Sequence, residues 1–201
     1  MKKLAIIGAS GHGKVVADIA EKNGYTDIVF LDDFSTGQCA GYPIIGTSSL
    51  ISELTECSFI IAIGNAKIRE RLQLQLEKKS VATLIHPAAV ISRRVHIGEG
   101  TVVMAGAIIN SDVSIGKGCI INTGSSIDHD CIVGNYVHVS VGAHVAGTVA
   151  IGSHTWIGAG ATVVNNVTIT NDTMIGAGAV VVKDCIESGT YIGIPARKRK
   201  I

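Results

Sequence analysis

The second half of the chain carries an aliphatic residue at every sixth position. From Ile85 to Val181 all seventeen positions spaced by six are isoleucine or valine, and the next is Glu187. A period of six is neither the 3.6 of an α-helix nor simple strand alternation, although it is a multiple of two. The residues two places earlier are small or β-branched, as at Thr101 and Ala107. These units predict short strands joined by corners.

Three six-residue units would make one coil of the chain. Ile97, Ile115, Val133 and Ile151 are each followed by glycine and lie eighteen residues apart. Coils stacked at the strand spacing of about 4.8 Å would bring the aliphatic side chains into columns. We therefore predict a parallel β-helix over residues 88–186. The periodicity does not determine the hand of the coil.

The first 85 residues follow a different pattern. Short continuous apolar runs, "LAII", "IVFL" and "FIIAI", are typical of buried parallel strands, and amphipathic stretches separate them. The expected helices cover residues 14–22, 47–54 and 66–79, and a last strand covers 81–85. This alternation predicts a Rossmann-like α/β domain over residues 1–85, a junction at His86-Pro87, and a C-terminal tail over 187–201.

Composition and charge narrow the class of protein. The formal net charge of the 201 residues is +1, which favours neither nucleic acid nor a membrane surface as a partner. The N-terminal apolar run is too short for a signal peptide or a membrane span, so we expect a soluble cytoplasmic protein without membrane insertion. The five cysteines form no C-x-x-C pair, and three share equivalent repeat positions, which predicts buried thiols rather than disulfides or metal ligands.

A glycine-rich loop, "GASGHG" at residues 8–13, follows the first predicted strand and opens a helix. It departs from the G-x-G-x-x-G dinucleotide pattern because Ser10 replaces the middle glycine. NAD is therefore not the expected ligand of this loop. Backbone N–H groups in such a loop still approach a phosphate at the helix N-terminus. The Ser10 hydroxyl, the Gly11 backbone and the His12 imidazole are the candidate phosphate contacts.

Two further polar turns follow the second and third predicted strands. Asp32 and Asp33 end "FLDD", and Gly64 and Asn65 end "AIGN". The carboxyl ends of parallel strands meet at one edge of a sheet, where ligands bind in open α/β folds. These residues predict a nucleotide site. The alternative is three ordinary turns in which Asn65 caps a helix.

In the repeat region His129 lies between two aspartates. A carboxylate hydrogen-bonded to one ring nitrogen fixes the tautomer and raises the basicity of the other nitrogen, as a general base requires. Asp130 is the predicted orienting group. Asp128 shares its corner position with Asn110 and Asn122, which indicates a role in shaping the turn.

Other histidines occur in the same region. His138, in "HVSVG", is a candidate donor to a carbonyl or a sulfur-bearing group, whereas His96, His144 and His154 are expected at corners without a function. Imidazoles also bind zinc, so a metal site at His129, His138 and His144 is an alternative. No spacing requires it, and we expect no metal.

The motifs "GASGHG", "FLDD", "AIGN", "DHDCIVG", "HVSVG" and "GIPAR", together with the hexapeptide run, resemble the NeuD/PglD-type bacterial sugar acyltransferases. The resemblance covers essentially the whole chain. It implies a left-handed β-helix, an exception to the usual crossover rule, and a homotrimer with active sites between neighbouring coils. It also implies acetyl-CoA as the donor and a nucleotide-linked amino sugar, typically a UDP-4-amino-4,6-dideoxy sugar, as the acceptor.

The resemblance also assigns roles to individual residues. His129 matches the general base, and Asp130 matches a group that is glutamate in the family member most closely compared. His138 matches a histidine that contacts the thioester, and the Gly147 backbone is our suggested oxyanion donor. The family's pantetheine channel is matched by Ala159 and Ala177, and its sugar-nucleotide site by Ser10, Gly11, His12, Asp32, Asp33 and Gly64.

Two other functions remain open at this point. The first is an O-acetyltransferase acting on sialic acid or a related hydroxyl, which would depend more heavily on His129 because a hydroxyl is the poorer nucleophile. The second is a non-catalytic trimeric scaffold or sugar-nucleotide sensor, in which His129 could be replaced without effect.

Overall fold

The computed structural model describes residues 2–199. The chain divides into two compact units at the Pro87–Ala88 bond. The N-terminal unit alternates strands and helices. Its elements are β1 Lys3–Ile7, α1 Gly11–Lys22, β2 Asp27–Leu31, β3 Gly37–Cys39, β4 Tyr42–Gly46, a 3-10 helix Ser48–Ile51, β5 Ser58–Ile61, α2 Ala66–Gln75, β6 Ser80–Val81 and β7 Leu84–Ile85.

A six-stranded sheet in the order β3-β4-β2-β1-β5-β6 forms the centre of this unit. The central strand β1 pairs in parallel with β2 and β5, and only β3 runs antiparallel to its neighbour. The three apolar runs form these central strands, with Leu4, Phe30 and Phe59 fully buried. Continuous apolar runs occur here because both faces of each strand are covered. The predicted α/β architecture is confirmed.

The element bounds differ from the prediction in four places. Helix α1 begins three residues early, at Gly11, and α2 ends at Gln75, where Leu76 N–H bonds the Gln73 carbonyl in a tighter turn. The expected helix over 47–54 is only a 3-10 helix, and the strand over 81–85 is split into β6 and β7. The hairpin β3–β4 was not predicted, because its pairing depends on the sheet edge offered by β2 rather than on its own sequence.

The C-terminal unit is built almost entirely of two-residue strands. They are β8 Val90–Ile91, β9 His96–Ile97, β10 Val102–Val103, β11 Ile108–Ile109, β12 Ser114–Ile115, β13 Ile120–Ile121, β14 Ser126–Ile127, β15 Ile132–Val133, β16 His138–Val139, β17 His144–Val145, β18 Ala150–Ile151, β19 Trp156–Ile157, β20 Thr162–Val163, β21 Thr168–Ile169, β22 Thr173–Ile175, β23 Val180–Val181, β24 Gly189–Ile192 and β25 Arg197–Lys198.

Each coil takes eighteen residues, because Val102 pairs with Ile120 and Ile120 with His138, all in parallel. Every sixth-position aliphatic from Val103 to Val181 is at most 2% exposed, so these side chains form the core. The predicted left-handed parallel β-helix is confirmed. The core of the β-helix needs few aromatic residues because its cross-section is narrow.

The small residues two places before these aliphatics fill a second set of buried positions. Thr101 is fully buried; its hydroxyl donates to the Gly116 carbonyl at 2.9 Å and accepts from Cys119 N–H at 3.0 Å. The Cys131 thiol donates to the Ala146 carbonyl at 3.1 Å. All five cysteines are free thiols. The hydroxyl and thiol groups therefore satisfy backbone atoms at the bends between coils.

One corner of the β-helix has a left-handed backbone in several successive coils. Asp112, Asp130, Thr148 and Asn166 all have positive φ, between 57° and 63°, and lie one coil apart. Non-glycine residues adopt this conformation only where the surroundings enforce it. The corner therefore turns sharply at Asp130.

The segment expected to be a tail carries two strands. β24 pairs in parallel with β22, and β25 pairs antiparallel with β24. The last two residues of the predicted tail, 200–201, and the first residue of the predicted α/β domain lie outside the described residues. Between residues 2 and 199, no helix has both the length and the apolar character that crossing a membrane requires.

Candidate functional site

The His129 and Asp130 side chains form a pair at the sharp corner of the β-helix. His129 Nδ1 lies 2.8 Å from Asp130 Oδ2. The side chains are 56% and 59% exposed, so both are accessible to a substrate. Asp130 has a left-handed backbone, with φ of 57°, and its carboxylate contacts the preceding ring. The Asp130 N–H donates to the Ser111 carbonyl of the previous coil at 3.1 Å, and this bond links the corners of the two coils.

The hydrogen bond to Asp130 raises the pKa of His129. Partial desolvation opposes this effect, and the charges of Asp128 and Asp130 add to it. With Nδ1–H donating to the carboxylate, the neutral ring carries its lone pair on Nε2. A lone pair on Nε2 is what a histidine needs in order to accept a proton.

Gly147 lies against the His129 ring, one coil further along the chain. A Cβ atom at position 147 would be 2.6 Å from His129 Cε1 and 2.7 Å from Nε2. Only glycine leaves room for the ring in this position. The structure thus brings together the predicted base and the residue suggested as the oxyanion donor.

His138 belongs to a cluster on a different face of the β-helix. Its ring stacks on Trp156 with centroids 5.1 Å apart and planes inclined by 19°. His138 Nε2 accepts from Asn122 Nδ2 at 3.1 Å, and Trp156 Nε1 donates to Ser140 Oγ at 2.6 Å. Sequence reasoning missed Asn122, Ser140 and Trp156 as neighbours. The eighteen-residue spacing between His138 and the chain's single tryptophan was the signal that could have identified Trp156.

Ala159 and Ala177 occupy one corner in successive coils, and both are exposed. Their backbones are linked through Gly178 N–H, which donates to the Ala159 carbonyl at 2.9 Å. A side chain at Gly158 would fall 2.6 Å from Ala177 N. Glycine at position 158 therefore allows the backbones of the two coils to stack closely beside Ala177.

The remaining histidines of the β-helix make local contacts. His144 Nδ1 lies 2.8 Å from Ser126 Oγ, and the His154 ring stacks on Tyr136 with centroids 5.6 Å apart. His96 is exposed at the start of β9. Across the part of the chain that the structure describes, no three His, Cys, Asp or Glu side chains are grouped as metal ligands.

The N-terminal unit contains a cleft of about 310 Å³ at the carboxyl ends of its parallel strands. Ser10, Asp32, Asp33 and Gly64 line it, so the structure brings four of the seven predicted residues together. Gly11, His12 and Asn65 are not among the lining residues.

The two aspartates organise the loops around this cleft. Asp32 Oδ2 accepts from Ala9 N–H at 2.7 Å, and its Oδ1 accepts from Phe34 and Ser35 N–H at 2.9 and 2.8 Å. Burial alone would raise the pKa of Asp32, but these N–H donors outweigh it and the pKa is lowered. Asp33 accepts from the backbone and hydroxyl of Ser48 at 2.8 and 3.1 Å. Asp32 is therefore a fixed anion that links two loops.

The residues outside the lining have other surroundings. Burial, with help from the Arg69 charge, lowers the pKa of His12 to about 4, so its ring is neutral. His12 Nε2 is buried without a hydrogen-bond partner among the described residues. Asn65 Oδ1 accepts from Ile68 N–H at 3.1 Å and caps α2, which is the alternative considered for this residue.

The glycines of "GASGHG" divide into two groups. Gly8 has a φ of +111°, and a Cβ there would lie 2.7 Å from the Ala62 carbonyl oxygen. A Cβ at Gly13 would overlap the Gly8 carbonyl, whereas Gly11 faces open space. Gly8 therefore lets the loop pass close to the chain that follows β5, and Gly13 lets α1 start close to that loop and to Phe30 of β2.

Two cleft residues were missed from the sequence. Arg71 and Phe34 line the cleft, and Phe34 is 98% exposed. A guanidinium suits a phosphate, and an exposed aromatic ring suits a flat base. Arg69 and Arg71 lie two residues apart on α2, and only the fold shows that Arg69 is buried while Arg71 faces the cleft.

Comparisons with known proteins find relatives of both units. The family model described as the PglD N-terminal domain matches residues 3–76, and the bacterial transferase hexapeptide model matches residues 94–129 and 148–183. A Bacillus subtilis UDP-N-acetylbacillosamine N-acetyltransferase is 38% identical over 113 residues, which are 52% of this chain and 52% of that protein. The chain thus spans about half the length of this curated relative.

Two solved structures are similar along nearly their whole length. The acetyltransferase domain of PglB from Neisseria gonorrhoeae, in complex with acetyl coenzyme A, has a TM-score of 0.95 and 40% identity, covering 98% of this chain and 99% of that one. PerB from Caulobacter crescentus, in complex with CoA and GDP-perosamine, has a TM-score of 0.93 and 37% identity, covering 100% and 98%. The chain therefore belongs to the NeuD/PglD-type family of hexapeptide-repeat bacterial sugar acyltransferases.

Proposed function

We propose that this protein transfers the acetyl group of acetyl-CoA to the amine of a nucleotide-linked amino sugar. The observation that carries the proposal is the 2.8 Å contact between His129 and Asp130 beside the Gly147 backbone. The PglB domain that binds acetyl coenzyme A and PerB, bound to CoA and GDP-perosamine, support the choice of substrates. The name of the Bacillus relative supports an N-acetyl product.

The reaction follows from the basicity of the ring. His129 Nε2 removes a proton from the sugar amine as the nitrogen attacks the thioester carbonyl carbon. A C–N bond forms, the C–S bond breaks, and the proton passes from His129 to the departing thiolate. No covalent acyl-enzyme is needed, because a neutral amine is nucleophilic enough. The Gly147 N–H is the proposed donor to the developing oxyanion.

Acetyl-CoA is proposed to bind along the β-helix. Following the family resemblance, His138 is proposed to contact the thioester through its ring, which stacks on Trp156. Ala159 and Ala177, which are exposed and small, are proposed to line the path of the pantetheine arm. We further propose a homotrimer with its active sites between neighbouring coils, working in the cytoplasm, where acetyl-CoA and sugar nucleotides are found.

The acceptor is proposed to bind through its nucleotide in the N-terminal cleft. Ser10 and the glycine-loop backbone would contact the phosphates, with Arg71 as a charged partner, and Phe34 would cover the base. Asp32, Asp33 and Gly64 would complete the site. Following the family resemblance, we propose a UDP-4-amino-4,6-dideoxy sugar.

The test is a substrate panel. Purified protein is given acetyl-CoA with UDP-, GDP- and dTDP-linked 4-amino sugars and with free sialic acid, while thiol release and product mass are followed. We expect an amide product from the UDP-amino sugar. Turnover of sialic acid alone would establish the O-acetyltransferase instead. Binding of sugar nucleotide without turnover of any acceptor would favour the scaffold.

A further inference from the structure

Asp128 has contacts that reach beyond shaping a turn. Its Oδ1 atom accepts two hydrogen bonds, from Asn110 Nδ2 at 2.8 Å and from the His129 backbone N–H at 2.9 Å. Asn110 occupies the same corner position one coil earlier, eighteen residues before Asp128. The Asp128 N–H donates to the Val145 carbonyl of the next coil at 2.9 Å. Asp128 therefore connects the residue that carries the imidazole to both neighbouring coils.

The His129 side chain has little else to hold it. It is 56% exposed, so packing does not fix its ring. Its position depends on the Asp130 contact, on the space left by Gly147 and on the backbone from which the side chain projects. The His129 carbonyl accepts from Thr148 N–H at 2.9 Å, so Asp128 holds one side of this residue and the next coil holds the other.

The charges around the ring make Asp128 distinctive as well. In the coil before, Asp112 is paired with Arg94 at 2.9 Å. In the coil after, the corresponding corner, "AGT", has no charged side chain. The charges that act on the His129 ring are those of Asp128 and Asp130, and the Arg94 guanidinium also interacts with Asp130. Hydrogen bonding from Asn110, followed by that from the His129 N–H, lowers the pKa of Asp128 and keeps it ionised.

We propose that Asp128 is a positioning residue for His129. The Asp128 carboxylate fixes the backbone beneath the imidazole and places a second negative charge beside the ring. This inference rests on the proposed role of His129 as the base. Asp128 acts through His129 and need not touch either substrate. The Asn110 amide supports it by orienting the carboxylate.

Two variants separate the two parts of this role. Asp128→Asn keeps an acceptor oxygen for the His129 N–H and removes the charge, whereas Asp128→Ala removes both. Asp184→Asn is the matched control, because Asp184 also accepts a backbone N–H, from Thr168 at 2.8 Å, elsewhere in the β-helix. Asn110→Ala is a second route to the same effect should Asp128→Ala not fold.

The first measurement does not depend on acetyl transfer. Protein labelled with ¹³C-histidine is titrated by NMR, and the Cε1–H signal of His129 is assigned by its loss in His129→Gln. We expect its titration midpoint to fall by about half to one pH unit in both Asp128 variants, within the usual range of such perturbations. Asp184→Asn should leave the midpoint unchanged.

The second measurement is steady-state kinetics. We expect Asp128→Ala to lose about 100-fold in kcat with little change in KM, the scale of a catalytic group displaced by about 1 Å. Asp128→Asn should recover most of this loss. The inference would be overturned if Asp128→Ala kept the wild-type titration midpoint of His129 and the wild-type kcat. If Asp128→Ala does not fold, the same result in Asn110→Ala would overturn it. An active His129→Gln would instead reject the proposed function, while the NMR titration would still decide whether Asp128 holds the ring.

Discussion

The β-helix corner and the N-terminal cleft assemble their residues in different ways. At the corner, His129 meets Gly147 because one coil takes eighteen residues, and it meets Asp130 because the two are adjacent. In the cleft, Ser10, Asp32 and Gly64 come from loops after three different strands. A repeat determines its neighbours by counting along the chain, whereas a loop site is assembled only when the sheet orders its strands. The corner should therefore tolerate change least, because each position has a fixed partner.

The largest effect is expected at the corner itself. His129→Gln should lower kcat by about 10²–10⁴-fold, the usual scale for loss of a general base. Thiol-release kinetics measure the change, with circular dichroism to verify folding. His144→Ala is the control, since the His144 side chain bonds Ser126 and takes no part in the contact between His129 and Asp130. Equal losses in both variants would point to damage to the β-helix rather than to catalysis.

The next prediction tests the contact between coils. Gly147→Ala should lower kcat by about 100-fold, because its Cβ would displace the His129 ring from its position. The same substitution in a His129→Gln background should have little further effect, since coupled residues are not additive. An equal loss in both backgrounds would show that Gly147 acts independently of the ring.

A smaller effect is expected in the cleft. Arg71→Ala should raise KM for the sugar nucleotide by about 10- to 100-fold with little change in kcat, as expected for one charge-assisted hydrogen bond. Arg71→Lys should recover part of the loss, and Gln75→Ala on the same helix is the control. A fall in kcat at unchanged KM would place Arg71 in the chemistry rather than in nucleotide binding.

The smallest effect is a displacement of the pH profile. Asp130 raises the pKa of His129, and the base acts only when neutral, so activity should fall as the pH drops through that raised pKa. Asp130→Asn removes the carboxylate and should move the acidic limb of kcat/KM to lower pH by about one unit. The measurement is kcat/KM from acidic to neutral pH. If the acidic limb does not move in Asp130→Asn, it reports the titration of a group other than His129.

The sequence predicted the fold of the C-terminal unit in more detail than that of the N-terminal unit. The seventeen-position aliphatic period predicted the β-helix core, and the coil length followed from the glycines after Ile97 and Ile115. The hairpin β3–β4 was not predictable, because "GQCAGYPIIG" has no strong alternation and pairs only at an edge already formed by β2. Helix bounds shifted because tertiary contacts decide where a helix ends.

The candidate sites show the same division. The pairing of His129 with Asp130 was predictable because adjacent residues at a corner cannot lie far apart. Trp156 beside His138 was missed, although the coil length contains the information. Arg71 could not be distinguished from Arg69, because the hydrophobic pattern of α2 does not indicate which basic side chain is buried.

The sequence by itself determined the β-helix, the coil length and the pairing of a histidine with an adjacent carboxylate, because a strict repeat turns spacing along the chain into distance in space. Only the tertiary structure decided that Asp128 links Asn110 to the His129 backbone and that the His129 ring fills the space left by Gly147. Those features depend on side-chain directions at a left-handed corner, which residue spacing does not specify.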